Sequence, residues 1–157
     1  DNAENLNQII RGLLQIQRVS NQSIVLPLHP RTRKKMTELL NPSVAKELSD
    51  NSKIHVIDPA GFLDMISLES NCSLVITDSG GVQKEAFFFQ KPCVILREQT
   101  EWVEIVENGN ALLVGSSEEK LIKAYHQLTT KKDYTYPPFF GDGHASEEIC
   151  RLMLEHL

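Results

Sequence analysis

Long hydrophobic runs are missing from this chain. No apolar stretch approaches the roughly 18–20 residues a helix needs to cross a bilayer, so no membrane partner is expected. The first ten residues, DNAENLNQII, are polar and acidic and do not read as a signal peptide. Cysteine is scarce: Cys72, Cys93 and Cys150 make an odd count with no CxxC spacing, and each sits beside apolar residues. Buried, reduced thiols in a cytoplasmic protein are the expectation, with a metal site or redox pair as the alternative. Basic residues are outnumbered, 16 Lys plus Arg against 21 Asp plus Glu, for a net charge of -5. That balance argues against nucleic acid as a general partner but leaves room for one local phosphate site. What remains is ordinary globular material, 41% apolar and 24% charged over 157 residues. One domain over residues 1–157 is expected, able to bury roughly 68–70% of its extended-chain surface without disulfides or metal. The chain starts at Asp1 instead of Met, as expected of a fragment or a processed chain.

The hydrophobic pattern alternates between two periods. Leu6, Ile9, Ile10, Leu13 and Leu14 follow one helical stripe, and Ser23 to Leu28 is a short β-branched run expected to form a strand. Thr32 to Leu40 reads as a helix ended by Asn41-Pro42, and Lys53 to Ile57 as a second strand. Phe62, Leu63, Met65 and Ile66 suggest a helix, followed by a third strand over Ser73 to Thr77. A helix over Val82 to Phe89, a strand over Pro92 to Leu96 and a short helix over Thr100 to Glu107 come next. Ala111 to Val114 reads as a fifth strand, and Leu121, Tyr125 and Leu128 as a further helix. After an aromatic, Pro- and Gly-bearing loop over Asp133 to Gly143, residues 144–157 read as a final helix built on Ile149, Leu152 and Met153. Strands alternating with helices predict an α/β fold, a doubly wound, mostly parallel, Rossmann-like sheet.

Ligands of such sheets sit beyond the carboxyl ends of the strands, and four segments there carry unusual residues. Asp78-Ser79-Gly80-Gly81 ends the third strand and opens a helix. Its glycines let backbone amides approach an anion, and the helix N-terminus adds unpaired donors; a capped tight turn is the plain alternative. The run is neither a Walker motif nor GxGxxG. Glu85 falls on the following helix, where it could accept hydrogen bonds from a ribose diol or stand as an exposed charge beside Lys84. His29 follows the first strand and could reach a phosphate or act as an acid, or be structural. Arg97 to Trp102 follows the fourth strand. Arg97 could hold a diphosphate while Thr100 and Glu101 bind sugar hydroxyls or cap the short helix, or the segment is a surface loop with an Arg–Glu pair.

Taken together, Thr77-Asp78-Ser79-Gly80-Gly81-Val82-Gln83-Lys84-Glu85-Ala86, Lys91-Pro92-Cys93-Val94, Leu96-Arg97-Glu98-Gln99-Thr100-Glu101 and Gly141-Asp142-Gly143-His144-Ala145-Ser146 resemble the C-terminal domain of the non-hydrolysing UDP-N-acetylglucosamine 2-epimerases. The resemblance implies the second lobe of a two-lobed, glycosyltransferase-B-like fold, with the N-terminal lobe absent. It implies that Ser79, Gly80 and Gly81 hold the diphosphate and Glu85 the ribose hydroxyls. By the same resemblance His29 is catalytic, facing the phosphates near the glycosidic bond. Arg97, Thr100 and Glu101 would line the cleft, and Pro59 to Met65 would lie against uracil. No cofactor, metal or nicotinamide is implied, a UDP-sugar is the implied substrate, and the full-length protein would be a homodimer. Two departures matter: Met65 stands where relatives carry an aromatic, and its thioether packs on a uracil face less specifically, while Trp102-Val103 replaces Arg-Pro, similar to the branch acting on capsule and O-antigen sugars such as diacetamido-uronic acid nucleotides. The fragment alone is expected to bind nucleotide weakly and not to epimerise.

Two other classes share some of these features. The nucleotide-sugar lobe of a glycosyltransferase has the same fold and often a Gly-rich turn before Glu-Ala, but lacks the Arg97 and Gly141 words. A receiver-type signalling domain needs acidic residues after the first strand, where this chain has Leu28-His29.

Overall fold

The computed structural model describes residues 2–156. Helices and strands alternate along the chain: α1 (Ala3–Ser20), β1 (Ile24–Pro27), α2 (Pro30–Leu39), α3 (Pro42–Asp50), β2 (Ile54–Ile57), α4 (Phe62–Asn71), β3 (Val75–Thr77), α5 (Gly80–Phe88), β4 (Cys93–Ile95), α6 (Val103–Glu107), β5 (Ala111–Leu113), α7 (Glu118–Thr130) and α8 (Ala145–Glu155). Every strand pairing is parallel. The ladder bonds group β1 with β2, from Ile24 opposite Ile54 to Pro27 opposite Ile57, and separately order β3-β4-β5. The expected parallel α/β architecture is present, with its ladder divided into these two sets.

β4 shows why the helices cover both faces. Its residues are sealed from solvent, with Cys93 at 1% and Val94 and Ile95 at 0% exposure. Alternate side chains of a strand point to opposite faces. Val94 accordingly joins a core with Ile10, Leu13 and Leu14 of α1 and Leu121, Ala124 and Leu128 of α7. Cys93 and Ile95 join the other, with Ala86 and Phe87 of α5 and Ile105 of α6. A strand without polar residues is the pattern of one buried on both sides. Burying one such side chain stabilises the fold by about 1.5–3 kcal/mol.

α1 lies along α7 with little room to spare. A Cβ on Gly12 would sit 2.6 Å from Leu121 Cδ2, so any larger residue there would force the Leu121 side chain to shift. Asn2 caps the helix by accepting from the Glu4 amide at 2.9 Å, and Asn21 ends it in the left-handed region at φ 58°.

The structure adds an element that the sequence reading passed over. Asn41-Pro42 ends α2 as expected, but Pro42 then occupies the first turn of α3. Proline suits that position because its fixed φ is helical and its missing N–H is not needed there. Val44 and Leu48, four apart, bury against α1. Asn7 ties the break together: its amide nitrogen donates to Ala3 O at 2.8 Å and Leu39 O at 2.9 Å, while its oxygen accepts from the Asn41 amide at 2.9 Å.

The aromatic loop after α7 packs down over α5. Phe87 has Tyr136, Phe139 and Phe140 at ring-centroid distances of 5.3, 5.5 and 5.7 Å. Beyond it α8 buries none of its residues, and Ile149, Leu152 and Met153 form an exposed apolar stripe. The expectation of three buried thiols therefore needs correction: Cys93 is buried and Cys72 half-buried, but Cys150 is exposed because it lies on α8. Among the described residues no helix is long and apolar enough to cross a membrane.

Candidate functional site

Strand polarity gathers the candidate residues at one end of the sheet. β1 ends at Pro27 and is followed by His29, the N-cap of α2; β3 ends at Thr77 and is followed by Ser79, the N-cap of α5; β4 ends at Ile95, just before Arg97. His29 is exposed, with Nδ1 accepting from the Arg31 amide at 3.3 Å. The imidazole thus acts as a helix cap while its other nitrogen remains available.

The Ser79-Gly80-Gly81 turn is the best-defined part of this end. Thr77 Oγ1 accepts from the Ser79 amide at 3.0 Å, and Ser79 Oγ accepts from the Val82 amide at 3.5 Å. Val82 and Gln83 have acceptors in the Ser79 hydroxyl and carbonyl, which leaves the Gly80 and Gly81 amides as the open donors of the first turn. Such donors, with the helix dipole behind them, favour an anion.

Arg97, Glu101 and Trp102 close over Gly80. Trp102 Nε1 donates to Gly80 O at 2.7 Å, and a Cβ on Gly80 would meet Glu101 Oε2 at 3.3 Å, Trp102 Nε1 at 3.7 Å and Arg97 Nη1 at 3.9 Å. Gly80 is the residue that lets this loop lie against the helix start. Arg97 and Glu101 form a two-pronged ion pair with donor distances of 2.9 and 2.7 Å. Hydrogen bonding to Glu101 raises the guanidinium pKa further, and the same bonds lower that of Glu101. Asp78 adds to the negative field on Arg97.

Thr100 faces inward. Its hydroxyl donates to Gln83 Oε1 at 2.5 Å and accepts from the Trp102 amide at 3.1 Å, so it links the loop to α5 and holds the residue just before α6. Gln83 is completely buried, and its Nε2 has no partner. Sequence reasoning misses Gln83, and takes Trp102 only as part of the Arg97 segment and as a departure from the family pattern. Trp102 as the lone tryptophan, directly after Thr100-Glu101, was the available signal.

Neither Lys84 nor Glu85 stands as a fully solvated charge, the plain alternative to a ribose-binding role for Glu85. Lys84 Nζ lies 4.7 Å from the Trp102 ring centroid and 4.5 Å from that of Phe140, which pins the aromatic loop to α5. Glu85 is half-buried and faces Glu69 of α4. Met65, also half-buried, lies one turn before Glu69 on α4, behind the exposed Phe62 and Leu63.

A cavity of about 400 Å³ opens beside this cluster. Asp78, Arg97, Glu98 and Ser116 line it from the strand ends, with Arg31 and Lys35 of α2 opposite. Of the expected site residues Arg97 lines it; His29, the Ser79 to Gly81 turn, Glu85, Thr100, Glu101 and Met65 lie outside its wall. A concavity of about 500 Å³ along α3, between Ser43 and Asn51, is remote from the strand ends. Among the described residues no group of three or more His, Cys, Asp or Glu is placed to hold a metal ion.

Comparison with known proteins gives this arrangement a family. Residues 1–154 match the UDP-N-acetylglucosamine 2-epimerase family model. The chain is 41% identical over 153 residues to the UDP-N-acetylglucosamine 2-epimerase of Methanocaldococcus jannaschii, covering 98% of this chain and 41% of that protein. It is also 41% identical over 153 residues to the UDP-2,3-diacetamido-2,3-dideoxy-D-glucuronate 2-epimerase of Pseudomonas aeruginosa, covering 98% of this chain and 40% of that one. The crystal structure of the M. jannaschii enzyme in complex with UDP-GlcNAc and UDP superposes with a TM-score of 0.85 at 40% identity, over 99% of this chain and 42% of that one. The chain thus spans about two fifths of the length of the relatives it matches. With the strand-end turn, its closing loop and these matches in agreement, the chain belongs to the UDP-N-acetylglucosamine 2-epimerase family.

Proposed function

We propose that residues 1–157 form one nucleotide-sugar-binding domain of an enzyme that inverts C2 of a UDP-linked 2-acetamido sugar by eliminating and re-adding UDP. The observation that carries this reading is the anion-ready start of α5, with the open Gly80 and Gly81 amides beside Arg97. In this reading Ser79, Gly80 and Gly81 receive the diphosphate. Arg97 turns part of its fork from Glu101 to a phosphate oxygen, and Thr100 and Glu101 hold the loop that carries it. Glu85 accepts from the ribose hydroxyls, and Met65 packs against uracil through its thioether.

The chemistry follows from where charge develops. A base removes the C2 proton, the C–H electrons form a C1=C2 bond, and the C1–O bond breaks with its electrons leaving on the diphosphate. Donors aimed at that diphosphate are worth most as the bond breaks. His29 stands at the phosphate end and stabilises or protonates the departing oxygen. Re-addition of UDP with protonation of the opposite C2 face gives the inverted sugar. The carboxylates that move the C2 proton belong to the N-terminal lobe of the full-length protein, which acts as a cytoplasmic homodimer. The three unpaired cysteines suit a reducing compartment.

Calorimetric titration with UDP tests the site. Glu85→Ala should weaken binding by about ten- to over a hundredfold, the cost of losing hydrogen bonds to a charged group. An affinity unchanged by this variant, in a protein that still folds, breaks the assignment. The full-length protein should interconvert C2 epimers without an acceptor, whereas this chain alone should not turn over.

A further inference from the structure

Glu69 has no place in the reading above, yet among the described residues it is the one buried carboxylic acid. It is 4% exposed, the single buried residue of α4, and both its carboxyl oxygens lack a hydrogen-bond partner. Its neighbour across the α4–α5 contact is Glu85, which interacts with it both through charge and as a hydrogen-bonding group. Two ionised carboxylates only accept, so they cannot bond to one another. A proton on one of them converts the same contact into a strong O–H···O⁻ bond. The proton belongs on Glu69, because burial penalises its charged form.

We propose that Glu69 is a positioning residue for Glu85: it stays a neutral carboxylic acid, donates to the Glu85 carboxylate from the protein side, and so fixes the face that Glu85 turns to the ribose diol. The inference rests on the reading of Glu85 as the ribose acceptor. Burial first, and then the Glu85 charge and hydrogen bond, push the Glu69 carboxyl up to about 7. Cys72, at the C-terminus of α4, and Cys93, on β4, are thiols whose ionisation burial opposes, and Lys91 acts on Cys72. Ligand binding favours the same form, since it adds a diphosphate to a pair that tolerates one negative charge.

The test uses the full-length protein with UDP-N-acetylglucosamine, whose diphosphate diester does not titrate near neutrality. Affinity should fall about tenfold as pH rises from about 6 to about 8.5, the linkage expected if binding moves the Glu69 pKa by about one unit. Glu69→Gln keeps an N–H donor toward Glu85 and should flatten that profile at the low-pH affinity. Glu69→Met, similar in length but without a donor, should lose about fivefold or more across the whole range. A merely structural role would let Met serve as well as Gln. Carboxyl-carbon NMR of the ligand-free protein reads the pair directly: Glu69 should titrate near 7, and Glu85→Gln should bring it down. A Glu69 that titrates near 4.5 overturns the proposal, as does a Glu69→Gln profile that superimposes on the unmodified one. Failure of the ribose reading looks different: Glu69 titrates near 7, but affinity is indifferent to Glu85→Gln, and the positioning role falls with it.

Discussion

Asn7 and Glu69 are both polar side chains sealed in the interior, at 2% and 4% exposure, and they are treated in opposite ways. At the junction of α1, α2 and α3 the Asn7 amide spends both ends of its side chain on backbone groups. Between α4 and α5 the Glu69 carboxyl has no partner unless it carries a proton. Gln83 lies between the two cases, with its oxygen bonded to Thr100 and its nitrogen orphaned. A satisfied buried polar group specifies a fold, because nothing else completes the backbone break there. One left unsatisfied costs stability and points to a use outside folding.

Substitution should separate the two kinds of group. The largest loss is expected from Asn7→Ala, which leaves Leu39 O and the Asn41 amide unpaired; about 3 kcal/mol should disappear from the denaturant-unfolding free energy at every pH. Glu69 should behave in the reverse sense. Its pKa is raised from 4.5 to about 7 on folding, so its contribution is fully present below 4.5 and lost as pH climbs through 7. Glu69→Gln should therefore gain about 3 kcal/mol over the unmodified chain at about pH 8 and nothing at about pH 4. A gain that persists in acid would assign the penalty to packing instead. Thr100→Val removes the hydrogen bond to the Gln83 side-chain oxygen, and about 1 kcal/mol should be lost in a thermal melt. Smallest of all, Leu152→Ala on the unburied α8 should change this chain's stability by less than about 0.5 kcal/mol. A larger effect would mean that α8 packs in solution.

Periodicity made the sheet legible. The apolar runs around Val75, Val94 and Leu112 have the length and composition of strands covered twice, and the structure places alternate residues of β4 in two different cores. Proline carried two messages at Pro42, and only the helix-stopping one was read; as a first-turn residue it also starts α3. The strand-end rule led to His29, Ser79 and Arg97 because it depends only on order along the chain. Contacts that depend on tertiary approach were out of reach, including Trp102 against Gly80 O and the Lys84 ammonium between aromatic rings. Glu69 was within reach. It sits three residues after Ile66 and four after Met65, on the helix stripe where an apolar residue would be expected.

The route into α8 has a practical consequence. Gly141 and Gly143, at φ +83° and +92°, carry the chain past the last aromatic anchor, and a Cβ built on either would meet nothing within 4 Å. A protease offered the native protein should cut at this tether first, releasing α8 while Phe87 keeps its grip on Phe139 and Phe140. The trimmed product would keep both cores, shed the exposed Cys150 and its apolar stripe, and be the better-behaved material for crystals and titrations.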